Sequence, residues 1–448
     1  SGKEKVVDLK WVLVGNGMPK NYDAWLKQIN PYLAEKIGVN IDVEIVPWSD
    51  WDTRRSAIVN SGEKFDILFT DGARYASEVN MGAFLDISDI VKTSSPELYK
   101  SIPEDYWKAV SVNGKVYSVP TYKDSSATQY FVWDKKMIDK YNIDYENLKT
   151  LSDLTDTFKE LKKGEGTAPV VLDKSGLDVI LSVYDQMGVG LPPLGVRFDD
   201  KNRKVVNILE QDEVLDQLDT IHGWYKDGLI NPDAPATGEA PSYRMFYVAQ
   251  GWSGAAKTTW GPNMGTDAVT SKFIDTIVSN NTVRGSLNGI SSSTEYPEKC
   301  LEFLQLVNTD TKVRDAFYYG VEGENFNYTD NKEIEKLNND WPMAGYAQAS
   351  FFTVSKLASD DFNQWDEVKK LNEDATPSVL LGFNLDTSKI ETELATCRTV
   401  YDKYKSELMT GAREPRDLVK NITKELDGAG FQTIIKEAQS QIDAAYNK

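Results

Sequence analysis

Two tryptophans, Trp252 and Trp260, stand in the stretch YVAQGWSGAAKTTWGPN among glycine, serine, threonine and asparagine. A flat apolar ring beside amides and hydroxyls suits a sugar. The ring stacks on C–H faces while a few polar groups fix orientation. Trp48, Tyr75, Tyr122 and Trp341 join this set, because they lie at predicted strand ends or in irregular sequence. Ordinary packing is the alternative for each. Trp25 and Trp224 fall within helical patterns and read as structural.

Catalytic and metal-binding patterns are weaker. GWSGA around Ser253 has Ala255 where a nucleophile elbow needs its second glycine. The single histidine, His222, would have to be its base. Four residues after Leu218 on a helical pattern, it reads as a boundary or core residue. One histidine also rules out multi-histidine metal sites, and TDNKEIE at Thr329 lacks the glycine of a calcium loop. The pairs Asp199–Asp200 and Asp360–Asp361 read as solvated turns. GNGMPK (Gly15–Lys20) misses the third glycine of a dinucleotide fingerprint and the Gly-Lys-Ser/Thr of a P-loop, and no cofactor is expected. A turn at the carboxyl end of a strand is still where open α/β sheets bind ligands, so Gly15, Asn16 and Gly17 remain candidate contacts.

The elements that must hold these residues begin with VDLKWVLVG (Val7–Gly15), a predicted strand. Trp25, Ile29, Leu33 and Ile37 then mark one face of a helix that Pro31 could kink or restart. VNIDVEIVPW (Val39–Trp48) alternates as a strand, and SDWD (Ser49–Asp52) predicts a capping box for a helix ending near Gly62. GEKFDILFTDGARY holds an apolar run, Phe65–Phe69, that reads as a strand buried on both faces. This βαβαβ order is that of a parallel sheet with right-handed crossovers. The Asp71-Gly72 step closing it is either a simple loop or a place where a ligand approaches the backbone.

LDISDIV (Leu85–Val91) and GKVYSVPTY (Gly114–Tyr122) continue the same lobe, and TQYFVWD (Thr128–Asp134) predicts a strand crossing into a second one. Thr150 and Asp153 predict a capping box, with Leu151, Leu154, Phe158 and Leu161 buried behind it and Gly164 as the stop. Leu215, Leu218 and Tyr225 mark the inner face of a further helix closed by Gly228, and Pro297 opens another. The last third is mainly helical, ending with Phe431, Ile435, Ala438 and Ile442 facing inward.

A length of 448 residues allows two or three domains. A net charge of −19 with no dense Lys/Arg run argues against a nucleic-acid partner. No apolar stretch approaches the roughly 18–20 residues of a membrane span. Cys300 and Cys397 lie far apart on different predicted helices and make no dense disulfide framework. The opening SGKEKVVDLKW, without an initiating Met, reads as a trimmed chain or a mature protein that has lost its export signal.

NSGEKFDILFTDG, GAFLDISDIV, NGKVYSVPTY and GSLNGISSSTEYPEKCLEFLQLVNTD, in that order, resemble extracellular solute-binding proteins of ABC importers. The likeness is to family 1, the carbohydrate-type binding lipoproteins. YYGVEGENF, GFNLDTSKIETELA and ELDGAGFQTIIKEAQSQIDAAY resemble the C-terminal segment of a Gram-positive subgroup. The resemblance covers essentially the whole chain. It implies an α/β fold of two hinged lobes, type II and periplasmic-binding-protein-like, with a helix-rich C-terminal part and the ligand in the cleft. By family analogy, residues 1–126 and 282–318 form the first lobe, and 127–281 and 319–448 the second. The crossing then lies near Ser125–Gln129 and the return near Asn281–Arg284. Arg284 would sit close to the hinge, to contact ligand or pair with a carboxylate. Asp71 and Gly72 would face the cleft, where an ionised carboxylate accepts sugar O–H bonds; alternatively Asp71 caps the following helix. Tyr122 would contact ligand as the lobes close.

The function so implied is non-catalytic binding of a carbohydrate, an oligosaccharide, with hinge closure and delivery to a membrane permease. The setting implied is the surface of a Gram-positive cell, outside the membrane, with a lipidated cysteine that is not in this chain as the anchor. The rivals are a secreted glycoside hydrolase, which needs two carboxylates about 5–10 Å apart, and a binding protein for a peptide or another small polar solute.

Overall fold

The computed structural model describes residues 5–72 and 74–447. The chain divides into two units: Ser1–Ser126 with Val278–Glu373, and Ala127–Ile277 with Asp374–Lys448.

The first unit opens with β1 (Val7–Gly15), whose last five residues are all buried. α1 (Tyr22–Ile37) runs through Pro31 without a break and stops where Gly38 takes a left-handed φ of 66°. β2 (Val39–Pro47) buries alternate residues over its first half. α2 (Trp48–Ser61) starts directly after the proline. Pro47 occupies the cap and no side chain bonds there, so Ser49 lies inside the helix and the expected SDWD capping box does not form. β3 (Ile67–Thr70) is buried throughout and is shifted toward Thr70 from the expected run. β4 (Val119–Pro120) closes this first passage.

The chain enters the second unit in β5 (Ala127–Asp134), every residue of which is buried. α3 (Thr155–Glu165), α4 (Asp212–Lys226), β6 (Phe246–Gln250) and β7 (Ala268–Val278) follow. It returns to the first unit for β8 (Leu287–Ile290), α5 (Pro297–Thr309) and α6 (Thr311–Tyr319). It ends in the second with β9 (Thr376–Pro377), α7 (Glu391–Met409), α8 (Pro415–Gly428) and α9 (Phe431–Tyr446).

The sheet of the first unit has the order β2-β1-β3-β8-β4. β1 is parallel to both β2 and β3, and β8 is antiparallel to β3. Three parallel strands therefore end together, and the turns after Gly15, Pro47 and Thr70 share one edge. Two buried polar links hold that edge. The Trp11 indole N–H donates to Asn288 Oδ1 at 2.8 Å, tying β1 to β8. Arg55 of α2 grips Glu78 through two hydrogen bonds of 2.7 and 2.8 Å, and the Thr70 hydroxyl donates to the same carboxylate.

Residues 319–373, placed by analogy in the second lobe, belong to the first unit. Gly15 forms a bridge with Met343, and the buried Arg314 takes its acceptors from the segment Gly345–Ser350. A guanidinium without water must find carbonyls nearby, and that need draws the segment back.

The second sheet, β6-β5-β7-β9, has two covered faces. On one, Phe131, Trp133 and Phe246 meet Phe158 of α3, Trp224 of α4 and Leu394, Leu418 and Phe431 of the last three helices in one core. On the other, Tyr130, Val132 and Tyr247 pack with Trp260 and Met264. Thr150 and Asp153 do bond reciprocally, at 3.0 and 3.3 Å, but α3 runs past Gly164 to stop at Gly166. Gly164 is needed elsewhere: a Cβ there would lie 2.0 Å from the Tyr141 hydroxyl. α4 buries Val214, Leu218, Ile221 and Trp224 rather than Leu215 and Tyr225, and α9 buries Ile434 in place of Ile435.

Two outcomes are expected. Arg55→Ala leaves the Glu78 carboxylate buried and unpaired and costs about 3–5 kcal/mol in urea unfolding. Burial pushes the Cys300 thiol up to about 12 and the Cys397 thiol up to about 11. A chromogenic disulfide reagent at pH 8 should therefore label neither cysteine in the native protein and both after denaturation.

Candidate functional site

In the first unit, Trp48 opens α2 at the carboxyl end of β2. Its ring lies 12° from parallel to Tyr346, 6.4 Å between centroids. Its N–H donates to the Tyr346 hydroxyl at 2.6 Å. Phe69 of β3 meets Trp48 edge-on from behind. Trp48 is 48% exposed and Tyr346 40%. Rings of this size are normally covered; here two near-parallel rings, tied by a hydrogen bond, are left open to solvent.

The other turns of the same strand edge supply polar groups. Asn16 is exposed and Gly17 has φ 107°, a conformation few side chains tolerate. Asp71 follows β3. Among the described residues its Oδ1 is buried without a hydrogen-bond partner, and the helix Tyr75–Asn80 has no side-chain cap. Capping therefore does not occupy this carboxylate, which is left as an acceptor. Gly72 has a packing reason of its own, since a Cβ would lie 3.3 Å from Arg284 Cβ.

The second unit contains a cavity of about 450 Å³, within the usual range of small-molecule sites. Gln129 and Gln250, paired in register on β5 and β6, line it where the chain enters the unit. The turn Asp173–Gly176 and Ser182 form another wall. Arg244 lays its guanidinium over Tyr247, 4.0 Å from the ring centroid. Burial pushes Arg244 below its usual value, against the opposing influence of Tyr247 and Asp173. Among the described residues, Arg244 Nε and Ser182 Oγ are buried without hydrogen-bond partners. Each such group costs about 1–3 kcal/mol until an acceptor or donor reaches it.

Several residues expected to contact a ligand lie buried or bonded within the protein. Tyr75 is wholly buried and donates to the Val110 carbonyl at 2.7 Å. Tyr122 is buried against Phe352 and Tyr106. Arg284 is buried and donates to the carbonyls of Ala109 and Ser111, at 2.8 and 3.1 Å, where a ligand or a carboxylate was expected. Trp341 donates to the Phe317 carbonyl at 2.9 Å and packs on Trp25. Trp260, 7% exposed, packs on Tyr130, and the half-buried Trp252 joins the same cluster. His222 binds the Gly411 carbonyl through Nδ1 at 2.6 Å. Tyr346, Arg244 and the two glutamines went unnoticed in the sequence. Only Arg244 had a usable signal, a cation three residues before the aromatic Tyr247.

Residues 27–321 match the family model described as bacterial extracellular solute-binding protein, well over half of the chain. The chain belongs to this family. This solute-binding protein also matches, over residues 379–447, a model described only as a domain of unknown function (DUF3502). It is 26% identical over 460 residues to a protein of Streptococcus pneumoniae serotype 4 named carbohydrate ABC transporter substrate-binding protein, covering 99% of this chain and 91% of that one. Its fold is that of two-lobe solute-binding proteins. The crystal structure of the N-glycan transport solute binding protein NgtS from Streptococcus pneumoniae superposes with a TM-score of 0.84 at 24% identity, covering 98% of this chain and 100% of that one. NgtS in complex with Man5GlcNAc gives 0.66 at 23% identity, with 98% of each chain covered.

Trp260→Ala should cost about 3–5 kcal/mol of stability, while Trp48→Ala, removing an exposed ring, should cost less than about 1 kcal/mol. Chemical unfolding followed by circular dichroism separates the two.

Proposed function

We propose that this solute-binding protein is the binding component of an ABC importer and that its solute is a carbohydrate, an oligosaccharide. The observation that carries the reading is the Trp48–Tyr346 surface at the carboxyl ends of parallel strands. An exposed double ring gives a pyranose a face to stack on, and Asp71 and Asn16 offer hydroxyl partners on the same edge. The cavity of the second unit adds donors and acceptors of the same character, with Arg244 and Ser182 awaiting partners. The names of the pneumococcal relatives point the same way.

The protein works outside the membrane, tethered by a lipidated cysteine at the surface of a Gram-positive cell, and passes its sugar to a membrane permease. It does no chemistry on the sugar. Asp173 and Asp178 line one cavity, so hydrolysis is the rival with a structural feature in its favour. Glycans incubated with the protein should be recovered at full length; release of shorter sugars would overturn the binding-only reading.

A thermal-shift screen against neutral oligosaccharides, with peptides as the control, tests the solute class. At a concentration near 100 times the dissociation constant, a bound sugar should stabilise the fold by about 2.7 kcal/mol. Trp48→Ala should weaken that binding by about tenfold or more, as the loss of an interface anchor does. A response to peptides alone would defeat the carbohydrate reading.

A further inference from the structure

The last three helices share the core of the second unit, and the end of α7 touches the wall of its cavity. Asp173 to Gly176 is a tight turn, closed by a 3.0 Å bond from the Gly176 amide to the Asp173 carbonyl, with Gly176 at φ 58°. A Cβ on Gly176 would lie 2.1 Å from the Met409 carbonyl oxygen, so the turn lies flat against the final peptide of α7. The next amide, Leu177, donates to that same Met409 carbonyl at 2.9 Å. Gly176 and Leu177 both line the cavity.

The end of α7 is itself fixed from the other side. Thr410 is fully buried and its hydroxyl donates to the Ser406 carbonyl at 2.6 Å. Gly411 has φ 77°, and a Cβ there would come within 2.5 Å of the Ile221 carbonyl of α4. His222 Nδ1 lies 2.6 Å from the Gly411 carbonyl oxygen. A carbonyl only accepts, so Nδ1 carries the proton. The one histidine of the chain thus holds the tail of α7 against α4, and the tail holds the cavity turn.

We propose that the C-terminal helical segment positions the binding wall of the second unit, with His222, Gly411 and Gly176 as positioning residues for the solute. The proposal rests on the carbohydrate reading above. The geometry gives it a physical basis: hydrogen bonds and glycine contacts that exclude a Cβ tolerate little displacement, and a displaced wall no longer meets the sugar's polar groups.

The test uses the full chain, titrated by calorimetry with neutral oligosaccharides, Man5GlcNAc among them, alongside hydrogen exchange at the Leu177 amide. His222→Ala should raise the dissociation constant of the tightest sugar about tenfold, the loss of one well-placed hydrogen bond. It should also speed Leu177 exchange while the melting temperature moves by only a few degrees. His222→Asn, which keeps a donor near Nδ1, should restore both. Gly176→Ala should weaken binding further if it folds. Unchanged affinity in His222→Ala and Gly411→Ala would overturn the proposal, as would a Leu177 amide that exchanges freely in the unsubstituted protein. Silence of the unsubstituted protein across all sugars is a different result and defeats the carbohydrate reading instead.

Discussion

Arg314 has no exposure to solvent, and burial pushes its guanidinium down to about 10. A cation in that position is costly unless its donors are met in good geometry. They are met along one strip of chain. Nε donates to the Ser350 carbonyl at 2.6 Å, one terminal nitrogen to Gln348 Oε1 at 2.8 Å, and the other to the carbonyls of Gly345 and Ala349 at 3.0 and 3.1 Å. A rigid planar fork admits few arrangements of acceptors, so the strip is closely specified. Tyr346 rides on it. Asn288 of β8, already bound by Trp11, adds a second hold by donating to the Ala347 carbonyl at 3.0 Å. The exposed ring pair therefore depends on charge buried behind it.

The aromatic residues divide by what lies behind each ring. Trp25 and Trp341 face each other and α6, so both are consumed by packing. Trp260 is covered by Tyr130, and a Cβ on Gly251 would lie 2.7 Å from its ring. Trp48 meets Phe69 at a right angle and lies near-parallel to Tyr346, yet stays 48% exposed. A polar, glycine-rich neighbourhood marked Trp252 and Trp260 as candidates. That composition served close packing over a sheet face, where Gly251 leaves room for the Trp260 ring.

The two units prepare polar groups by the same means. Among the described residues, Asp71 Oδ1, Arg244 Nε and Ser182 Oγ are all buried without hydrogen-bond partners. Leaving such groups unmet is unfavourable, and under the proposed binding function a solute that met them would recover that energy. Under that proposal, specificity would follow from the penalty on any guest lacking the matching group.

Much of the architecture was legible in the sequence. Apolar runs at period two and stripes at period four report directly on which side of an element is covered. β1, α1, β2, α2, β3, β5 and the helix opened by Pro297 all follow such patterns. The turns after the parallel strands were legible too, which is why Asn16, Trp48 and Asp71 were found on one edge. Capping at α2 was not, because the proline before Trp48 filled the cap position. The return of residues 319–373 to the first unit, the burial of Tyr75, Tyr122 and Arg284, and the pairing of Trp48 with Tyr346 had no local signature. Each depends on partners far along the chain: Trp48 and Tyr346 are 298 residues apart. The sequence by itself determined which segments are strands and helices, since those are set by neighbours within one turn. Only the tertiary structure decided which rings stay in the open, because exposure is a property of what distant segments fail to cover.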